Sequence, residues 1–354
     1  ENYRILTGLL RTPASVIGFV LIALFVIVAL AAPVIAPPVT SDPYRIPRDG
    51  FGAEPKPMGA EWKKNVPDVP FWYTPLTGKT EWVHLLGTAQ GQYDIFYGLV
   101  WGSRTAFKTG FIVVILTFLI GVIIGSTSAY YGGILDNVLM RIVDIFMTLP
   151  YILAALIFSA VLTPIMQNKL FAPILAMVTF GWMGYARIIR GDILSIKERD
   201  YVLAARVVGV KDGRILFRHI LPNAIFPVMV LASLDIGGIV QSFAALSFLG
   251  IGLPVGYADW GQLLSFARNW ITSLQDYWYI VVWPGLVLML FVMGWNLVGD
   301  AVRRSVARQG RMVTGWAPLS WTHALRSDPL SRLGLGRSGV DPASAGLITI
   351  GRTL

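Results

Sequence analysis

Apolar residues dominate six stretches of the chain, at about 14–36, 109–130, 142–163, 171–190, 223–249 and 278–299. Each is close to the roughly 20 residues an α-helix needs to cross the hydrocarbon core of a bilayer. A helix also satisfies its backbone polar groups internally, which lipid demands. The pattern predicts an all-α membrane protein with six transmembrane helices. The first stretch is too long for a cleavable signal peptide, and no A-x-A-like site followed by a soluble domain comes after it. Residues 37–106 differ in character, being rich in Pro, Gly, Trp and Tyr with charges of both signs. They predict a folded or semi-folded loop outside the membrane. The expected layout is an N-terminal segment 1–13, a first helix 14–36, the loop 37–106, a five-helix core 107–302 and a polar tail 303–354. The tail has no apolar period and is expected to be mostly disordered.

Composition agrees with the pattern: 55% of residues are hydrophobic and 14% charged, against about a quarter charged in soluble domains. With no cysteine, disulfides, thiolate catalysis and cysteine-held metals are excluded. The three histidines, His84, His219 and His323, are not at ligand spacing. A net charge of +9 reads as basic loops retained in the cytoplasm rather than as a nucleic-acid surface. Arg187, Arg190, Lys197, Arg199, Arg206, Lys211, Arg214 and Arg218 crowd the connection between the fourth and fifth stretches, and Arg303, Arg304, Arg308 and Arg311 open the tail. The opposite side offers only Lys169 and Arg268 in its short connections. Both termini and the 191–222 connection are therefore expected in the cytoplasm, and 37–106 outside.

Several residues invite a functional reading. Gly121 and Gly125 form a small-x-x-x-small pair, and Gly237–Gly238 lies in the fifth stretch; close helix packing is the default for both. Tyr277, Trp278, Tyr279 and Trp283 resemble interfacial anchors. Asp144, three residues after Arg141, is explained by a local helical pair. Asp235 has no basic residue within a helical turn, so it either faces a wet cavity or bonds to a neighbouring helix, and is a candidate for the translocation path. Thr77-Gly78-Lys79-Thr80 lacks the Gly a P-loop needs at position 73, which is Tyr, and reads as a turn.

The most informative segment is the connection from Lys197 to Val228. It is too polar to span, yet Val202, Ala205, Arg206 and Gly209 fall at i, i+3, i+4 and i+7. Ala204, Ala205 and Gly209 have little or no side chain, so a partner could approach the backbone closely. Pro222 then suits a helix start, where its missing N–H is harmless. This predicts a short amphipathic helix lying parallel to the membrane. Physics alone leaves two uses open, a docking surface or an ordinary interfacial helix.

The same segment resembles the E-A-A-x-x-x-G loop of ATP-binding-cassette (ABC) importer permeases, matched by Ala204, Ala205, Gly209, Leu221 and Pro222. Arg218-His219-Ile220-Leu221-Pro222-Asn223 is close to the form in the dipeptide, oligopeptide and nickel branch. Other segments resemble that branch in order: His84-Leu85-Leu86-Gly87-Thr88, Gly132-Gly133 with Asp136, Arg141, Asp144 and Pro150, then Leu246 to Gly252, Asp259-Trp260-Gly261, and Asn296 to Asp300. Two departures stand out. Leu203 occupies the usual Glu position, which removes the basis for a specific salt bridge there, and Arg304 replaces an acid near the family's usual end.

The resemblance implies a permease subunit of an ATP-driven importer in a bacterial or archaeal cytoplasmic membrane, for peptides, nickel chelates or oligosaccharides. It implies a coupling helix at about 200–215, with Tyr201, Ala204, Ala205, Gly209, Arg218, His219, Leu221 and Pro222 as the residues meeting the ATPase. The implied partners are a second homologous permease, two ATP-binding subunits, an extracytoplasmic solute-binding protein and membrane lipid, with no nucleic acid. ATP and Mg belong to the partner subunits, and no cofactor, metal or catalysis is expected in this chain. An ion-coupled secondary transporter is the alternative; it would need more intramembrane ionisable residues and, often, an internal repeat.

Overall fold

Pro13 opens the first helix, where a residue without an N–H breaks no hydrogen bond, and α1 runs from Pro13 to Ile35. The computed structural model describes residues 12–78, 80–166 and 169–314. Most of the expected N-terminal segment, Lys79 of the turn, and the tail beyond residue 314 lie outside the described residues. Two compact units divide at Ser305. Of the second, residues 306–314 are described and are helical; all that follows concerns the first.

Beyond α1 the helices are α2 (Tyr73–Thr77), α3 (Ile95–Tyr131), α4 (Gly133–Met147), α5 (Tyr151–Leu162), α6 (Phe171–Gly181) and α7 (Met183–Lys197). They continue as α8 (Asp200–Val207), α9 (Asp212–Ile215), α10 (Leu221–Phe248), α11 (Trp260–Phe266), α12 (Leu274–Tyr277) and α13 (Tyr279–Thr314). Among the described residues five helical runs are long and apolar enough to span a membrane, and a bent pair brings the number to six. This is an all-α membrane protein.

The third stretch departs from expectation. It is not one spanning helix but α4 and α5, set 87° apart. Pro150 explains the break, because it has no N–H and disfavours helical backbone at Leu149. Other helices run further than their apolar cores. α3 begins at Ile95, inside the expected loop, with Asp94 accepting the Tyr97 N–H at 2.7 Å as N-cap. Its 37 residues rise about 55 Å, well past a hydrocarbon core of about 30 Å. The run from Asp212 to Phe248 is likewise continuous, passing through a π-turn at Leu216–Ile220. Pro222 therefore sits within a helical run rather than starting one, and the connection shrinks from 191–222 to 198–211.

α3 and α7 form the most extensive helix pair. A Cβ on Gly121 would lie 2.7 Å from the Trp182 carbonyl, and one on Gly125 would lie 2.2 Å from that of Ala186. Only glycine permits that approach, which lets dispersion and packing act between backbones in lipid. At the other end of α3 the 37–94 segment is folded around a buried charge cluster. His84, with no exposed surface, places Nδ1 2.7 Å from Asp94 and Nε2 3.3 Å from Asp49. Asp49 also pairs with Lys56 and accepts the backbone N–H groups of Lys63 at 2.7 Å and Lys64 at 2.5 Å. Tyr279 ties this cluster to α13, its hydroxyl donating to the Lys56 carbonyl at 2.8 Å. The His84-to-Thr88 motif is thus a clamp holding the loop on the first turn of α3.

Two outcomes follow from this packing. Gly125→Leu is expected to cost at least about 2 kcal/mol through overpacking, read as a lower melting temperature in detergent. The Asp49 carboxyl would be raised by burial, but Lys56, the two backbone donors and His84 outweigh that and hold it below its ordinary 3.8. A depressed carboxylate stabilises above its unfolded pKa and loses that contribution as pH falls through the folded value. The loop should therefore keep its amide protection from pH 8 down to about 4 and lose it below. Asp49→Ala should lose it throughout, at a cost of about 3–5 kcal/mol; hydrogen exchange over 45–65 reads both.

Candidate functional site

The basic connection is short and tightly held on one side. Asp200 gives α8 an acid in its first turn, favourable at a helix N-terminus. Gly209 reverses the chain at φ +81°, with its N–H bonded to the Arg206 carbonyl and that of Val210 to Ala205. Inward, Val202 is fully buried beside Ile193, Ile215, Leu216 and Ile220, and Ala205 packs half-buried against them. Polar contacts reinforce that seat. Tyr130 at the end of α3 donates to Asp212 at 2.6 Å, Lys197 donates to the Tyr130 carbonyl at 2.6 Å, and the Arg206 guanidinium lies 5.8 Å from the Tyr130 ring.

The outward face is apolar. Tyr201, Leu203, Ala204, Val207, Val208 and Gly209 are exposed, Val207 to 88% and Val208 to 82%. This corrects the expected face of Val202, Ala205, Arg206 and Gly209, which the structure splits. Val202 anchors α8, Ala205 is shared, and the free face is centred on Ala204 and the two valines. Of the remaining expected residues, Arg218 and Pro222 are exposed, whereas His219 and Leu221 are half-buried. Leu221 packs on the inner cluster. Sequence reasoning missed Val207 and Val208, although two adjacent valines just before a glycine in a polar connection were a usable signal.

A second surface lies along α10. Asp235, Gly238 and Gln241 are exposed, and Ser242 is half-buried. At i, i+3, i+6 and i+7 they share one helical face. The exposed residues of α1, by contrast, are oily, such as Val20, Leu24, Ile27 and Leu30. Tyr185 of α7 donates its hydroxyl to Asp235 Oδ2 at 2.5 Å. Of the two options left open for Asp235, the structure shows the bond to a neighbouring helix, and the residue stays exposed. Nearby, the Tyr151 hydroxyl at the start of α5 is buried without a partner among the described residues. Tyr185 and Tyr151 come from other helices, so no spacing in the sequence pointed to them.

Ion pairs link the two ends of α4 to α7. Asp144 pairs with Arg187 at 2.5 Å rather than with Arg141, and Asp136 takes a two-pronged contact from Arg190 at 2.7 and 2.6 Å. The first is half-exposed and is worth little. No group of three His, Cys, Asp or Glu side chains able to hold a metal converges among the described residues.

Comparison with known proteins gives a consistent result. Residues 117–311 match the family model described as the binding-protein-dependent transport system inner membrane component. The dipeptide transport system permease protein of Alkalihalophilus pseudofirmus is 32% identical over 293 residues, 83% of this chain and 85% of that protein. The oligopeptide transport system permease protein of Bacillus subtilis is 36% identical over 220 residues, 62% of this chain and 70% of that one. The nickel transport system permease protein of Escherichia coli is 35% identical over 222 residues, 62% and 77% of the two chains.

Proposed function

The chain belongs to the inner membrane components of binding-protein-dependent transport systems, and on that premise we propose how this permease of an ABC importer works. Its cargo is a peptide or similar small solute, as the names of its relatives suggest. It pairs with a second, homologous permease. ATP and Mg are bound by two separate ATPase subunits, and a solute-binding protein delivers cargo on the side of the 37–94 loop. Both termini and the 198–211 connection face the cytoplasm, in keeping with the basic residues gathered there.

The observation that carries this reading is the exposed apolar tip of α8. Val207 and Val208 stand 88% and 82% exposed at the end of a connection whose inner face is fully seated. Burying each such side chain against a partner is worth about 1.5–3 kcal/mol. Ala204 between them and the stem leaves room for a cleft to close over the helix. Leu203, in the position where the family has Glu, adds to the apolar face and makes the contact one of packing rather than charge. α8 is thus the coupling helix. Docking stronger in one state than the other lets ATP binding shift the permease between inward and outward access, since a contact moves an equilibrium only by its differential free energy. The stripe of Asp235, Gly238, Gln241 and Ser242 lines the path, its polar groups facing a wet cavity between the two permeases rather than lipid.

Ala204→Trp is the discriminating variant, since it enlarges the outer face without touching the turn that Gly209 makes. It should insert normally, yet lose uptake and retain less than about a tenth of the co-purifying ATPase. Gly209→Trp should also abolish uptake, though it strains the turn as well. Normal uptake and normal ATPase recovery by Ala204→Trp would refute the docking model. Uptake that persists without ATP but stops when the ion gradient collapses would instead establish an ion-coupled transporter.

A further inference from the structure

Asp235 has a charge that the chain itself does not answer. Carboxylates at membrane depth are costly and are normally paired or hydrogen-bonded. Among the described residues Asp235 forms no ion pair, and its one hydrogen bond is the Tyr185 hydroxyl on Oδ2. Oδ1 takes no donor from the described residues. A carboxylate on a spanning helix that is held by one donor and stays exposed keeps acceptor capacity for a third party of opposite charge. Approach along that face is open, because Gly238, one turn from Asp235, is itself exposed and a Cβ built on it would meet nothing within 4 Å.

The donor set restricts what that party is. One carboxylate and one phenolic oxygen offer acceptors and a single negative charge. Transition metals favour imidazole or thiolate, and no three-group metal cluster exists among the described residues. An ammonium group has three N–H donors and no acceptor, which suits Asp235 Oδ1 and the remaining lone pair of Tyr185. We propose that Asp235, held by Tyr185, forms a cation-accepting site that receives the protonated amino group of the passing solute. The inference rests on the stripe being part of the translocation path, and it adds a charge preference that the permease imposes independently of any binding protein.

The chain has no cysteine, so a single introduced thiol reports on this site. Gly238→Cys in the assembled transporter, with partner cysteines replaced, is treated with methanethiosulfonates bearing either an ammonium or a sulfonate. The expected result is labelling by both, with the ammonium reagent faster by at least about tenfold relative to a free-thiol standard. Asp235→Asn in the same background should bring the ratio close to that standard. Trialanine should slow labelling, whereas N-acetyl-trialanine should not. Absence of labelling by either reagent would overturn the path itself, and with it the site. Labelling without charge preference, a preference that survives Asp235→Asn, or equal protection by the two peptides would overturn the cation site and leave the path standing.

Discussion

Gly121 and Gly125 let α7 lie against α3 at backbone distance, and both working surfaces take their positions from that contact. Lipid offers no hydrophobic drive between helices, so close packing has to hold them. α7 then carries three things. Tyr185 reaches Asp235 on α10, Arg187 and Arg190 hold α4, and Lys197 caps the end of α3 just before α8 begins. Tyr185 and Lys197 lie on one 15-residue helix. On the proposed reading, a push on α8 would reach the same helix that holds the partner of Asp235.

The remaining architecture is arranged at the two ends of this pair. At one end the His84, Asp49 and Asp94 cluster fastens the loop to α3, and Tyr279 fastens it to α13. At the other, Val202 and Ala205 seat α8 on the stem formed by α9 and the π-turn. Each seat is satisfied internally, and the opposite faces, the valines of α8 and the polar stripe of α10, stay uncovered.

Much of this was legible in the sequence because lipid imposes a simple rule. Apolar runs of spanning length gave the helices, and the density of Arg and Lys marked the connection that matters. Of the small positions Ala204, Ala205 and Gly209, the first and last are exposed and Ala205 is half-buried. The failures share a cause, that one-dimensional patterns do not say what covers a residue. The opening turns of α3 read as loop because Gly98, Gly102, Ser103, Arg104 and Thr105 interrupt their apolar run, although protein buries nearly all of them. The 142–163 run looked continuous because hydrophobicity is blind to the break that Pro150 imposes. Asp144 was assigned to Arg141 by spacing, but Arg187 reaches it from another helix. Asp235 drew notice as an isolated charge, whereas its phenolic neighbours are visible only once the helices are packed.

The central claim is that the outer face of α8 meets the ATPase, and site-directed cross-linking tests it most directly. A photoreactive residue at Val208 should form a covalent adduct with an ATPase subunit in the assembled complex, while one at the buried Val202 should form none. Adducts from Val208 to lipid alone, with no ATPase product, would contradict the account and make α8 an interfacial helix.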